Sequence, residues 1–130
     1  MQMDYHYAMK KLLVLLLIPL GCFSSTSYKT ISIDEAYEIF TAKSAVFIDV
    51  RTAQEYDAGH IPGALLIDVN SDTFDEMIQK LDKNAVYVVY CRSGVRSARA
   101  SQRINSFGFK KVYNVSGGFS AWQEKYPFDK

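Results

Sequence analysis

The sequence predicts an α/β domain built on a central parallel sheet of about five strands, with helices on both faces. Residues 45–50 and 85–90 form continuous apolar runs, which are typical of strands buried on both faces of a sheet. Segments with helical spacing of apolar residues alternate with these runs along the chain. Such alternation indicates parallel strands joined by helical connections.

The helices in the first half of the domain are predicted from capping sequences. Ser32 and Glu35 have the spacing of a capping box, which predicts a helix directly after Ser32. Thr52 and Glu55 repeat this spacing and predict a short helix that Gly59 can end. Capping is therefore the role that the sequence assigns to Glu55.

The rest of the chain continues the alternation. Short apolar segments predict strands at residues 64–67 and 112–115. Helices are predicted where apolar residues recur at helical spacing, around residues 74–81, from 97 to 107, and around Trp122. With the two long apolar runs, these elements give one domain.

The N-terminal segment has the pattern of a secretory signal. Lys10 and Lys11 precede a short apolar run at residues 12–18, and the small residue Gly21 follows. The run is about half of the ~20 residues that a membrane-spanning helix needs. We therefore expect residues 1–22 to be a signal peptide.

Cys22 occupies the position of the lipidated cysteine in bacterial lipoprotein signals, although Pro19 stands where such signals usually have leucine. The alternative is a cleaved, soluble periplasmic form. Met9 is a more usual start, because it places the lysines first. We expect an exported protein, periplasmic or anchored at the bacterial envelope through lipid on Cys22, with a tether at residues 23–28 and the folded domain at 29–130.

The charge balance excludes a general polyanion-binding surface. Without residues 1–21, which contain two lysines and one aspartate, 13 basic and 13 acidic side chains remain. This balance provides no global positive field for nucleic acid, and no nucleic-acid partner is expected. Function that depends on charge must be local.

Cys91 is the candidate nucleophile, because it directly follows the predicted strand 85–90. Ligands of parallel sheets bind beyond the carboxyl ends of the strands. Gly94 lets the following loop curl tightly, so that several backbone N–H groups and a helix N-terminus point at the sulfur. Arg92 and Arg96 add positive charge nearby. The pattern predicts a thiolate with a lowered pKa, suited to attack a dianionic substrate.

Two other interpretations of Cys91 were considered. A buried structural cysteine can precede an ordinary glycine turn, although two adjacent arginines are unusual there. A metal site lacks ligands, because the domain has no second cysteine and its histidine, His60, lies 31 positions upstream. We expect His60 to hold a turn. No metal and no cofactor is predicted.

The loop at residues 91–96 resembles the active-site loop of the rhodanese family. Three further motifs agree in the same order: Asp-Val-Arg at 49–51, Gly-His-Ile-Pro-Gly-Ala at 59–64, and Gly-Gly with a following Trp at 117–122. The resemblance extends from about residue 28 to 122, nearly the whole domain. It implies a rhodanese-like parallel sheet.

The resemblance also implies an activity, that of a thiosulfate sulfurtransferase. Cys91 would take the outer sulfur of thiosulfate or a similar small anionic donor, hold it as a persulfide, and pass it to a thiol or cyanide acceptor. Asp49 and Arg51 would support the loop from the neighbouring strand, with an ordinary structural ion pair as the alternative. The implied donor-binding residues are Arg92, Ser93, Gly94, Val95, Arg96 and Ser97.

A second function uses the same loop: a low-turnover sulfur carrier or persulfide-binding module that serves a protein partner. A thioredoxin-like acceptor is compatible with both functions. Phosphatases with a similar loop need the spacing Cys-x5-Arg, whereas Cys91 and Arg96 have Cys-x4-Arg, which disfavours phosphate-ester chemistry. A monomer is the default expectation for one small domain.

Overall fold

A computed structural model of the chain describes residues 27–130. The predicted signal peptide at residues 1–22, with Cys22 and the first part of the tether, lies outside the described residues. Within residues 27–130, every helix is too short or too polar to cross a membrane.

The core of the fold is one parallel sheet of five strands. The spatial order is β1-β5-β4-β2-β3, and every neighbouring pair is parallel. The predicted α/β class and its parallel sheet are therefore confirmed. The strands are Lys29–Ile31 (β1), Val46–Asp49 (β2), Leu65–Leu66 (β3), Val86–Tyr90 (β4) and Lys111–Val115 (β5).

Five helices cover the two faces of this sheet. The described helices are Ile33–Thr41 (α1), Ala53–Ala58 (α2), Phe74–Gln79 (α3), Val95–Ser106 (α4) and Gly118–Lys125 (α5). Buried residues of α3 and α4, such as Phe74 and Ile104, form one core with the strands. Ala36 of α1 and Trp122 of α5 form a second core on the opposite face. The sheet is thus buried on both sides, which explains the apolar runs in β2 and β4.

Both capping sequences start helices as predicted, but only the second forms both bonds of a capping box. Ser32 Oγ accepts a hydrogen bond of 3.1 Å from the Glu35 N–H at the start of α1. At the start of α2, the Glu55 N–H donates to Thr52 Oγ1, and the Thr52 N–H donates back to the Glu55 carboxylate. These bonds satisfy donors that a helix start otherwise leaves free.

Two features differ from the sequence prediction. The edge strand β1 was not predicted, because it is only three residues long and Lys29 and Thr30 are exposed. Helix α4 begins at Val95, two residues before the predicted start at Ser97. Gly94 is its N-cap, with a left-handed φ of 107° that lets the helix start inside the loop. Ser97 therefore lies within the first turn.

Candidate active site

The site lies at the carboxyl edge of the sheet, where β2 and β4 end side by side. Asp49 is opposite Tyr90 in the register of these two strands. The Val50 N–H also donates to the Tyr90 carbonyl at 3.1 Å. Arg51 and Cys91 therefore follow neighbouring strand ends, as the sequence predicts.

The sulfur of Cys91 is held by hydrogen bonds from the start of α4. The Gly94 N–H donates to Sγ at 3.1 Å, and Ser97 Oγ lies 3.3 Å from Sγ. Cys91 is 1% exposed and belongs to one of the two cores. The interpretation of a buried cysteine is thus right about burial, but the polar contacts on Sγ distinguish this thiol from an inert one.

These contacts decide the ionisation of the thiol. Burial raises the pKa of Cys91, whereas hydrogen bonds from the Ser97 hydroxyl and from the backbone of Ser97, Gly94 and Ser93 lower it. The hydrogen bonds outweigh the burial, and the pKa of Cys91 lies below its usual value. A lowered pKa increases the thiolate fraction, which is the nucleophilic form.

Helix α5 fixes the loop from the other side. The Phe119 N–H donates to the Cys91 carbonyl at 2.8 Å, and the Ser120 N–H donates to the Arg92 carbonyl at 3.0 Å. Gly118 makes this approach possible, because it has a φ of 52° and a Cβ there would lie 2.4 Å from the Cys91 oxygen. In the sequence, Gly117 and Gly118 stand out only as the Gly-Gly motif before Trp122. A double glycine opening a helix at the same sheet edge was the signal for this contact.

The two arginines of the loop have different surroundings. Arg96 forms a bidentate ion pair with Glu55, in which both terminal guanidinium nitrogens lie 2.8 Å from carboxylate oxygens. Hydrogen bonds from Arg96 and, with a smaller effect, from Thr52 lower the pKa of Glu55 to about 2. Arg92 is exposed and has no ion pair with any residue in 27–130. The role of Arg96 in donor binding stays a prediction, and its partner Glu55 was missed.

The remaining predicted donor contacts form the rim of the loop. Ser93 is exposed, and Val95 is 71% exposed although it is apolar. Beside the loop lies an open cleft of about 200 Å³. Its lining includes Arg92 from the loop, Glu55 from α2 and Phe119 from α5. A small anion in this cleft is therefore next to Arg92 of the loop and to Phe119, whose amide holds the Cys91 carbonyl.

Asp49 and Arg51 pair with each other and not with the loop. Arg51 Nη2 lies 2.7 Å from Asp49 Oδ2, and both side chains are buried. Arg51 also donates to the Gly59 carbonyl at 2.7 Å and lies 4.5 Å over the Phe119 ring. The alternative of a structural ion pair therefore describes these contacts, and their link to the loop runs through Phe119, whose amide holds the Cys91 carbonyl.

His60 lies between helix α2 and the turn at Pro62 and Gly63, and its side chain contacts Tyr56 of α2. Its Nδ1 is 2.8 Å from the Tyr56 carbonyl, and its ring stacks on the Tyr56 ring with centroids 3.7 Å apart. Its backbone pairs with Asp129 near the C-terminus. In the part of the chain that the structure describes, no three potential ligands lie close enough to hold a metal ion.

The fold and the loop together define a class: parallel α/β domains that hold a cysteine thiol of lowered pKa at a helix start beyond the central strands. The family model for the rhodanese-like domain matches residues 32–125, and the chain belongs to this family. The resemblance seen in the four sequence motifs is thereby confirmed.

Individual relatives agree with this assignment. Thiosulfate sulfurtransferase GlpE of Shewanella oneidensis is 34% identical over 99 residues, which cover 76% of this chain and 96% of the relative. A rhodanese-related protein from Thermoplasma volcanium is 30% identical with a TM-score of 0.70, covering 78% of this chain and 98% of that structure. The human single-domain sulfurtransferase TSTD1 is 27% identical with a TM-score of 0.66, covering 78% and 100%. These similarities support sulfurtransferase chemistry for this rhodanese domain.

Proposed function

We propose that the protein is a sulfurtransferase that moves a sulfane sulfur from thiosulfate or a similar donor to a thiol or cyanide acceptor. The persulfide is carried on Cys91. The observation that carries this proposal is the hydrogen bonding of Sγ, with the Gly94 N–H at 3.1 Å and the Ser97 hydroxyl at 3.3 Å. Such a site stabilises negative charge on sulfur, which both the thiolate and the persulfide bear.

In the first step, the Cys91 thiolate attacks the outer sulfur of thiosulfate. A new S–S bond forms at Cys91, the S–S bond of thiosulfate breaks, and sulfite leaves with the bonding electron pair. The negative charge then resides on the outer sulfur of the persulfide. The N–H groups at the start of α4 can stabilise this charge as an oxyanion hole stabilises an oxygen anion.

In the second step, the acceptor attacks the outer sulfur of the persulfide. Cyanide becomes thiocyanate, or a thiolate becomes a persulfide, and the Cys91 thiolate is the leaving group. A lowered pKa makes Cys91 a better leaving group as well as a more abundant nucleophile. The two steps balance in atoms and electrons without a metal or cofactor, so ping-pong kinetics are expected.

Donor binding is assigned to the loop rim and the adjacent cleft. Arg92 is exposed beside the cleft and can bind the sulfonate oxygens of thiosulfate. Ser93 and Val95 are exposed on the same loop. Ser97 is buried against Sγ and acts on the sulfur itself.

Mass spectrometry after incubation with thiosulfate tests this proposal. The protein should gain the mass of one sulfur atom, and the gain should be reversed by cyanide with release of thiocyanate. Cys91→Ser should abolish both the gain and the release of sulfite. Full sulfite release by a folded Cys91→Ser protein would overturn the mechanism.

The second function, a low-turnover sulfur carrier for a protein partner, has one observation in its favour. Arg96 is engaged by Glu55, so Arg92 is the loop arginine that remains to attract a free dianion. Kinetics separate the two functions. A carrier should show negligible turnover with thiosulfate and cyanide but rapid sulfur exchange with a persulfidated or thioredoxin-like protein.

We further propose that the protein works as an exported monomer, periplasmic or held at the bacterial envelope by lipid on Cys22. The support is the signal pattern of Lys10, Lys11, the apolar run at 12–18 and Gly21. Mass spectrometry of the mature protein isolated from its cells tests export, since it reports the first residue and any acyl chains. Light scattering of the purified domain tests the monomer.

A further inference from the structure

We propose that Glu55 determines the charge of the sulfur donors that this protein accepts. Glu55 lines the cleft and neutralises Arg96 behind it, and it thereby reduces the preference for dianionic donors such as thiosulfate relative to monoanionic ones such as an organic thiosulfonate. This inference rests on the proposed sulfurtransferase function and names a determinant of its donor class.

The first support is the geometry of the ion pair. Arg96 lies in the first turn of α4, two residues after Gly94, whose N–H bonds the sulfur. Its two terminal nitrogens both face the Glu55 carboxylate at 2.8 Å. Because both terminal nitrogens of the Arg96 guanidinium already donate to Glu55, fewer of its N–H groups remain for the oxygens of a substrate.

The second support is the way in which Glu55 is held. The Thr52 N–H and hydroxyl both donate to Glu55 Oε2 at 3.1 Å, so the carboxylate is anchored at the start of α2 as well as to Arg96. The side chains of Arg96 and Glu55 are 25% and 29% exposed. Both side chains of the pair therefore meet solvent, and Glu55 does so at the cleft, where its charge acts on an incoming ion.

The third support is the charge inventory of the cleft. Glu55 and Arg92 both line it. Arg51 also lines it, but its charge is balanced by Asp49. Glu55 is in turn balanced by Arg96, which lies behind it and does not line the cleft. With Arg96 counted, these groups carry about one net positive charge when Glu55 is ionised, and that charge is on Arg92, which forms no ion pair with a described residue.

Removing the charge of Glu55 should therefore raise the positive potential at the cleft by one unit charge. The electrostatic free energy of binding scales with the charge of the ion, so a dianion gains twice as much as a monoanion. We expect Glu55→Gln to raise kcat/KM about threefold for a monoanionic donor and about tenfold for a dianionic donor at low salt.

The first experiment compares kcat/KM for thiosulfate and for benzenethiosulfonate, with cyanide as acceptor. Glu55→Gln should increase the ratio of thiosulfate to benzenethiosulfonate about threefold, and added salt should reduce the increase. Glutamine can still accept the capping hydrogen bonds, so α2 is retained. Glu76→Gln is the matched control, because it removes an exposed carboxylate paired with Lys80 on α3 and should leave the ratio unchanged.

The double variant tests whether Glu55 acts through Arg96. Arg96→Gln leaves the carboxylate unbalanced and should lower the ratio, whereas Glu55→Gln with Arg96→Gln should return it towards the wild-type value. A purely structural role predicts that Glu55→Gln lowers kcat/KM for both donors equally and that the double variant restores nothing. That result would overturn the proposal.

Alkylation of Cys91 provides a readout that does not need turnover. Iodoacetamide is neutral and iodoacetate is a monoanion, and both react by displacement of iodide by the thiolate. The ratio of the two rates cancels the thiolate fraction and reports the local charge. Glu55→Gln should raise the ratio of iodoacetate to iodoacetamide about threefold, with Glu76→Gln again unchanged.

The two experiments separate failure of this inference from failure of the proposed function. If the wild-type protein neither gains a sulfur nor releases sulfite from thiosulfate, the proposed function fails, but the alkylation ratio still tests Glu55. If turnover is present and the alkylation ratio of a folded Glu55→Gln protein equals that of the wild type, Glu55 does not set the charge of the cleft and the inference is overturned.

Discussion

Two carboxylate–arginine pairs lie at or beyond the carboxyl end of strand β2. They have the same chemistry but differ in burial and in the distance along the chain between their members. Asp49 and Arg51 are two residues apart, buried, and closed off by Gly59 and the Phe119 ring. Glu55 and Arg96 are 41 residues apart and are both partly exposed, with Glu55 lining the cleft. The first pair joins parts of the core, whereas the second joins the loop to helix α2 where a substrate can sense its charge.

The difference in burial determines what each pair can do. Removing one member of a buried pair leaves an uncompensated charge in a medium that solvates it poorly, which is strongly destabilising. Breaking a pair in contact with water lowers the free energy of unfolding only a little, because solvent replaces the missing partner. The buried Asp49–Arg51 pair is thus suited to stabilising the fold, and the Glu55–Arg96 pair is suited to setting the charge that a substrate meets.

The largest expected effect comes from breaking the buried pair of Asp49 and Arg51. Asp49→Asn keeps the shape of the side chain but leaves the Arg51 charge unbalanced, and it should lower the free energy of unfolding by about 3–5 kcal/mol. Urea unfolding monitored by circular dichroism measures this loss. Asp75→Asn, which removes the partner of the half-exposed Arg103, should cost no more than about 1 kcal/mol. Equal losses in the two variants would contradict the comparison.

A smaller effect is expected when a neutral hydrogen bond is removed and both ion pairs are left intact. Ser97→Ala removes the hydroxyl 3.3 Å from Sγ, which raises the pKa of Cys91. The pH profile of iodoacetamide alkylation should shift to higher pH, and the rate at neutral pH should fall about fivefold, as expected for one hydrogen bond of ~1 kcal/mol.

Ser101→Ala is the control for this variant. Ser101 is buried one turn further along α4, and its hydroxyl makes no hydrogen bond to a described residue. Its alkylation profile should match that of the wild type. A profile unchanged in Ser97→Ala would show that the Ser97 hydroxyl does not act on the thiolate.

The smallest expected effect concerns stability and the Glu55 pair. At neutral pH, Glu55→Gln should lower the free energy of unfolding by less than about 1 kcal/mol, because the pair is in contact with solvent. The pKa of Glu55 is lowered from 4.5 to about 2 in the folded protein. The contribution is therefore present above pH 4.5 and is lost as the pH falls towards 2.

Urea unfolding of wild type and Glu55→Gln across the acid range measures this dependence. The two proteins should converge in stability as the pH approaches 2. A difference that grows in acid would mean that the ionised carboxylate does not stabilise the fold.

Local features of the fold could be predicted from sequence, and long-range ones could not. The capping sequences at Ser32 and Thr52 are encoded within four residues and both start helices as predicted, although only Thr52 and Glu55 form the reciprocal capping box. The buried strands show as apolar runs. Strand β1 left no signal, because three residues at an exposed sheet edge carry no periodicity. The start of α4 was placed two residues late, since Gly94 was interpreted as part of the loop and not as the N-cap.

The candidate site shows the same division. Cys91 and its cradle were found from consecutive residues, because the spacing of a loop fixes which amides face the sulfur. The contact between Glu55 and Arg96 depends on the packing of α2 beside α4, across 41 residues of chain. The clamp on the Cys91 carbonyl by the amide of Phe119 likewise depends on tertiary structure. A single sequence provides no spacing rule for either contact.

The contact at Gly118 has a consequence for redesign of the domain. The carbonyls of Cys91 and Arg92 are both hydrogen-bonded to amides of α5. An inserted residue therefore cannot enlarge the loop at residues 91–96 evenly. The extra length has to bulge outwards after Arg92, around Ser93 and Val95, which are exposed. Grafting the longer loop of a phosphatase onto this scaffold therefore requires the start of the C-terminal helix to be rebuilt at the same time.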